Sequence, residues 1–180
     1  MNTPGALESH ANAISILIKG CEHCVNQCEL VLEIVSEQDF IRALDDSASI
    51  GTHMRHLLDR FQCLFNGLPE QVLDYDDRKR DKSIATNLEA ANFAIASLRR
   101  RLQSLAQHAG QGGLELMVRE TVHPDAPQLE LSSNLERELM GLITHINHHL
   151  AIIAVIGKQM GYEFGSDFGK APSTILYERG

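Results

Sequence analysis

Four stretches of this chain repeat apolar residues at steps of three and four, a period that only packed helices can bury. The longest stripe is Ile14, Leu17, Ile18, Cys21, Cys24, Val25, Cys28, Val31, Leu32 and Val35, which predicts a helix over about 7–36. A second runs through Ile50, Met54, Leu57, Leu58, Phe61, Leu64, Phe65 and Leu68. Ser47 or Ser49 can cap its start, and Gly67 with Pro69 ends it. The third stripe, Ile84, Leu88, Ala91, Ile95, Leu98, Leu102 and Leu105, predicts a helix over about 82–108, stopped by Gly110, Gly112 and Gly113. The fourth helix is expected from Ser133 to about Met160, with a Ser133–Glu136 capping box at its start and Gly161 beyond its end.

Between the third and fourth stripes the period drops to two. Residues 114–122 and 128–131 alternate around His123-Pro-Asp-Ala-Pro127, which predicts a short hairpin. Residues 37–49 and 74–81 read as polar connections, and the chain from about 162 reads as an irregular tail. The expected fold is all-α, an up-down four-helix bundle with a short β-hairpin between the third and fourth helices. A length of 180 residues without internal repeats suits one domain, 1–180.

Charge narrows the partners. Phosphate binding needs a clustered basic surface, whereas the formal net charge here is −8. The one dense basic run, Arg99-Arg100-Arg101, spreads around most of a helix circumference and reads as solvated surface. No nucleic-acid partner is expected. The first twenty residues show no basic region ahead of an apolar stretch, and the run Leu150 to Gly157 is too short to span a bilayer. The expectation is therefore no membrane and a cytoplasmic location. Cys21-Glu-His-Cys24, with Cys28 beyond, has redox or zinc-like spacing. Yet these cysteines fall on core positions of the first stripe, where a thiol behaves as a small hydrophobe.

Five of the nine histidines fall in two short windows, His53 and His56 on the second helix and His145, His148 and His149 on the fourth. His145 and His149 are spaced i, i+4, so they share one helix face. A third imidazole from a facing helix would complete a three-nitrogen metal site with an open coordination position. On periodicity, His53 lies nearer the middle of its stripe than His56, and His148 points away from the His145/His149 face. A ferritin-like di-iron site would need Glu-x-x-His pairs on the helices. The single Glu120-x-x-His123 falls in the hairpin instead.

At these residues the chain resembles the DinB-like (YfiT-like) metalloenzyme family. Ser49-Ile50, five residues and His56-Leu57 are similar to the family's second-helix segment, and His145-x-x-His148-His149 is similar to its HxxxH element. Smaller stretches resemble a subgroup with two second-helix histidines: Ile50-Gly-x-His53-x-Arg55-His56-x-x-Asp59, Tyr75-Asp-x-Arg78-x-Arg80-Asp81, and Phe168-Gly-x-Ala-Pro-Ser-Thr174. The resemblance implies His56, His145 and His149 as metal ligands and a homodimer. His53 stands where the family usually has an aliphatic residue. With Asp59, it is the candidate for proton transfer or for support of a ligand.

The implied function is a divalent-metal-dependent enzyme, of hydrolase or thiol S-transferase type, acting on a small molecule that includes low-molecular-weight thiols. Zinc or nickel leads, with iron and copper also suited to imidazole. The alternative is a non-catalytic, stress-associated protein that binds a metal or small molecule. Leu30, Ile152 and Val155, apolar but off the core stripes, are the expected surplus for a dimer face.

Overall fold

The computed structural model describes residues 4–45, 47–107 and 113–180, with side chains from Asn12 onward. Among these residues the protein is mostly helical, with seven helices and one three-stranded sheet. His108, Gly110 and Gly112, expected at the end of the third helix, lie outside the described residues, as does Asp46.

Helix α1 spans Pro4–Ile34 and buries the predicted stripe from Ile14 to Val35. The chain does not then run as a simple polar connection. Ser36 accepts a hydrogen bond from the Asp39 amide and caps a short α2, Glu37–Ile41, which buries Phe40. Helix α3, Ile50–Gly67, begins at Ser49, whose hydroxyl accepts from the Thr52 amide. Of the two serines considered, Ser49 is thus the cap.

Strand β1, Val72–Asp74, runs into the segment expected as a charged linker, and Tyr75 within that segment is buried. The predicted third helix is two. Asp81 caps α4, Lys82–Thr86, and α5 runs over Leu88–Gln107. The break is Asn87, extended at φ −144° and ψ 120°, whose side chain accepts from the Ala90 amide. Asparagine competes for backbone hydrogen bonds in this way, and the competition overrides a helical apolar period.

Strands β2, Glu115–Glu120, and β3, Leu129–Asn134, form the expected hairpin, antiparallel with Glu115 opposite Asn134. β1 adds to β2 in parallel, Leu73 opposite Val118. Helix α6, Leu135–Gln159, is capped by Asn134, which accepts from the Arg137 amide. The expected Ser133–Glu136 box is therefore incorrect. Ser133 belongs to β3, and its hydroxyl donates to Glu138 at 2.6 Å. Gly161, at φ +90°, follows α6 in the left-handed region that ends helices. Beyond it the chain is more ordered than expected, with helix α7, Pro172–Arg179. The Tyr162 hydroxyl donates to Asp39 at 2.7 Å, and the Gly169 amide donates to the buried Gln27.

The core lies between the four long helices. α1 packs on α5 and α6, and α3 packs on the same two. Leu139, Leu142, Ile146, Leu150 and Ile153 of α6 are fully enclosed there. Truncating one such residue to alanine costs about 2–5 kcal/mol.

Two surface expectations change. Arg99 donates to Glu29 of α1 at 2.9 and 2.6 Å, and Arg101 stacks 4.7 Å over the Phe65 ring, so the basic run joins helices and is not merely solvated. Leu30 and Ile152 pack against the core, and of the three surplus positions Val155 is the exposed one. Among the described helices, α6 has the length and hydropathy to cross a membrane, where the short run Leu150–Gly157 suggested otherwise. Its most apolar face is the one buried against α1 and α3.

Candidate metal centre

The two histidine-bearing helices, α3 and α6, pack directly on each other. On α3, His53, His56 and Arg60 follow at steps of three and four and share one face. On α6 the same spacing aligns Glu138, Gly141, His145 and His149. The contacts run in opposite order, His56 with His145 and His53 with His149. Two antiparallel helices give that order.

Nε2 of His145 lies 3.1 Å from Nε2 of His56. The rings of His56, His145 and His149 stand with centroids 5.0, 4.7 and 4.6 Å apart. One nitrogen from each lies within 4.8 Å of the other two, so these three histidines could hold a metal ion. Nitrogens sharing a tetrahedral ion at about 2.1 Å are about 3.4 Å apart. The His56–His145 pair, at 3.1 Å, is close to that separation.

Electrostatics favours the ligating form. An imidazole coordinates only when neutral. Burial, reinforced by His145, His56, His53 and His148, lowers His149 to about 3. Burial, with Arg60 and His56 next, lowers His145 to about 4. Burial and then the Arg78, Arg60 and Arg55 guanidiniums lower His56, and burial and His148 lower His53. Those guanidiniums also oppose a dication, so their counter-charges matter. Arg60 donates to Glu120 at 2.5 Å. Asp59, buried beside Arg55, Arg78 and Arg80, accepts from the Arg80 amide. Burial raises its carboxyl against the pull of those arginines. With three neutral nitrogens and a partly cancelled cationic field, the donor set fits a divalent ion.

His53, half-buried, sits with Nδ1 3.0 Å from Nδ1 of His149. His148 is exposed, its ring 5.3 Å from that of His149. Asp59 is engaged by the arginines of its own helix and of the segment after β1. His123, the other half of the Glu-x-x-His pair, lies exposed beyond β2, while Glu120 is taken by Arg60.

A cleft of about 500 Å³ opens beside His145, walled by Arg60, Tyr75, Glu138, Met140, Thr144 and His148. The Arg60 guanidinium lies 3.8 Å over the Tyr75 ring, and the Tyr75 hydroxyl donates to Glu138 at 2.7 Å. Sequence reasoning passed over Arg60 and Glu138. Their signal was spacing, since Arg60 follows His56 by four and Glu138 precedes His145 by seven, two helical turns.

The cysteines form no part of this group. Cys21, Cys24, Cys28 and Cys63 are free and buried, and Cys24 donates to Asn147 at 3.6 Å.

The protein is thus a helical chain whose three histidines could hold a metal ion. Comparison with curated proteins finds similarity to FK506-binding protein 5 of Rhizopus delemar, 29% identical over 106 residues. That match covers 59% of this chain and 27% of the other, so the chain spans about a quarter of that relative's length. No family model and no solved structure matches the chain.

Proposed function

We propose that the chain is a DinB-like, divalent-metal-dependent enzyme that acts on a small molecule, with His56, His145 and His149 as the metal ligands. In this reading α1, α3, α5 and α6 form a four-helix bundle whose core is opened on one side by the histidines. Its order is not the expected up-down one, because α1 runs parallel to α6, with Gly20 by Ile143 and Cys24 by Asn147, and α3 runs parallel to α5. The carrying observation is the approach of three imidazoles from two helices, each held toward its neutral form, beside a cleft of small-molecule size. Imidazole donors suit zinc or nickel foremost, and iron and copper as well. The ion would supply Lewis acidity for chemistry of hydrolase or thiol S-transferase type.

The chain's own residues bind and orient. Arg60, held flat over Tyr75 and paired to Glu120, presents a fixed cation at the cleft. Tyr75, buried and held by Glu138, supports the Arg60 guanidinium from below. A substrate seated there would meet Thr144, His145 and His148 of α6 together with Arg60 of α3. Exposed Val155 on α6 belongs to the surface this reading assigns to a homodimer, which leaves the histidine cleft accessible. Light scattering that gave the mass of a 20.0 kDa monomer at micromolar concentration would remove that part.

The test is elemental analysis of protein purified without a nickel resin, followed by reconstitution with zinc or nickel. About one ion per chain is expected. A chain that holds neither metal after reconstitution loses this function. Turnover in a thiol-conjugation or hydrolysis screen then separates an enzyme from a non-catalytic binding protein.

A further inference from the structure

We propose that His53 is a positioning residue: its Nδ1 hydrogen-bonds Nδ1 of His149, fixes that ring in one tautomer, and leaves His53 outside the metal's ligand set. The inference deepens the proposed function and rests on it for the identity of the ion's ligands.

A neutral imidazole has one N–H donor and one acceptor nitrogen. The two Nδ1 atoms are 3.0 Å apart, so one of them carries the proton and the other accepts it. If His149 gives Nε2 to a metal, that nitrogen is bare, and the proton must sit on Nδ1. His53 then accepts through its own Nδ1 and carries its proton on Nε2. Metal-bound histidines are usually oriented by such an outer partner, most often a carboxylate, a carbonyl or water. Here an imidazole fills the place.

The local fold holds His53 there. Its amide closes the first turn of α3 onto the Ser49 carbonyl, and Ser49 caps that turn. Gly51 presses so closely on α4 that an added Cβ would stand 2.1 Å from the Ala85 carbonyl oxygen. The turn that bears His53 is therefore packed directly against the α4 backbone. The His53 ring faces His149 at 5.2 Å between centroids, and the three nitrogens that approach a common point come from the other histidines. A fourth imidazole would close a tetrahedral shell, whereas a three-ligand shell keeps a place for substrate. The role of His53 therefore bears directly on whether the centre can be catalytic.

The experiment uses the full-length chain, its His53→Leu and His53→Gln variants, and His56→Gln as the ligand control. Metal stoichiometry, zinc affinity, the cobalt(II) absorption spectrum and the tautomers of the histidine rings by nitrogen NMR are read on each. His53→Leu is expected to keep one ion and an unchanged cobalt spectrum, with zinc affinity about 10–100-fold weaker. His53→Gln, whose amide oxygen can accept the same hydrogen bond, should recover most of that loss. His56→Gln should lose stoichiometric metal.

Loss of stoichiometric metal or an altered cobalt spectrum in His53→Leu would make His53 a ligand and overturn the proposal. An affinity within twofold of the parent would overturn it as well. The ring spectra of the metal-free chain separate the two readings. If no metal binds but one ring of the pair shows an Nδ1–H tautomer that His53→Leu abolishes, the metal function falls and the His53–His149 contact stands. If both rings show only the Nε2–H form, the contact itself falls.

Discussion

Helix α6 meets two neighbours through two polar clusters, and burial makes them chemical opposites. Toward α3 it offers His145 and His149, half-buried, with their charged forms disfavoured. Toward α1 it offers Asn147 to Cys24, within a seam where Cys21 and Cys28 are also fully enclosed. Desolvation disfavours charge at both places, but the active states differ. The useful state of an imidazole ligand is neutral, so burial prepares the histidines. The useful state of a thiol is the anion, so burial silences the cysteines, raising Cys24 to about 12 and Cys21 and Cys28 beyond the usual thiol range. One physical effect turns one seam toward chemistry and the other toward packing.

The sharpest way to break this contrast is to exchange the clusters' roles by mutation. His149→Ala is expected to abolish stoichiometric metal binding, because two imidazoles hold a divalent ion weakly, while Cys21→Ala and Cys24→Ser leave it intact. Retained metal in the histidine variant, or lost metal in a cysteine variant, would reverse the assignment. Next in size is thiol reactivity. At pH 7.5 the native chain should react with a disulfide reagent at Cys21, Cys24 and Cys28 orders of magnitude more slowly than the urea-unfolded chain. Labelling at the unfolded rate would show that the α1 seam is open.

A smaller effect concerns stability. Cys28→Ser places a hydroxyl in a fully enclosed apolar site and should cost about 1–3 kcal/mol in denaturant unfolding. A neutral result would mean that the seam admits water.

The smallest effect is the pH dependence of the metal-free protein. Unfolded, His145 and His149 titrate near 6.5, and folded, at about 4 and about 3. Between those values the unfolded chain binds more protons, so stability rises with pH across roughly 4 to 6.5 and is lost as pH falls through that window. The melting temperature should be a few degrees lower at pH 5 than at pH 7, with a shallower slope in His149→Leu. An equal slope in the two proteins would locate the acid sensitivity elsewhere.

Much of this was legible because it repeats along the chain. The 3–4 spacing of Ile14 to Val35 placed α1 and put its cysteines in the core. The i, i+4 spacing of His145 and His149 placed both on one face. What escaped were decisions made by single polar side chains against the local pattern. Asn87 divides the predicted third helix by taking the Ala90 amide, and Asn134 displaces Ser133 as the cap by accepting from the Arg137 amide while the Ser133 hydroxyl is given to Glu138. β1 was hidden because three residues are too few to show a period, and their pairing with β2 is a contact across more than forty positions.

The sequence by itself determined the mostly helical character, the hairpin, the enclosed thiols and the short windows that hold the histidines, because periodicity and capping act over a few residues. The distinct positions of His53 and His56 were decided only by tertiary structure. Periodicity favoured His53 and the family resemblance favoured His56, and both stand on the same face of α3. The antiparallel register of α3 against α6 sets His56 opposite His145 and leaves His53 against Nδ1 of His149. That register comes from how the apolar surfaces of α3 and α6 pack against each other, and no single segment of the chain contains it.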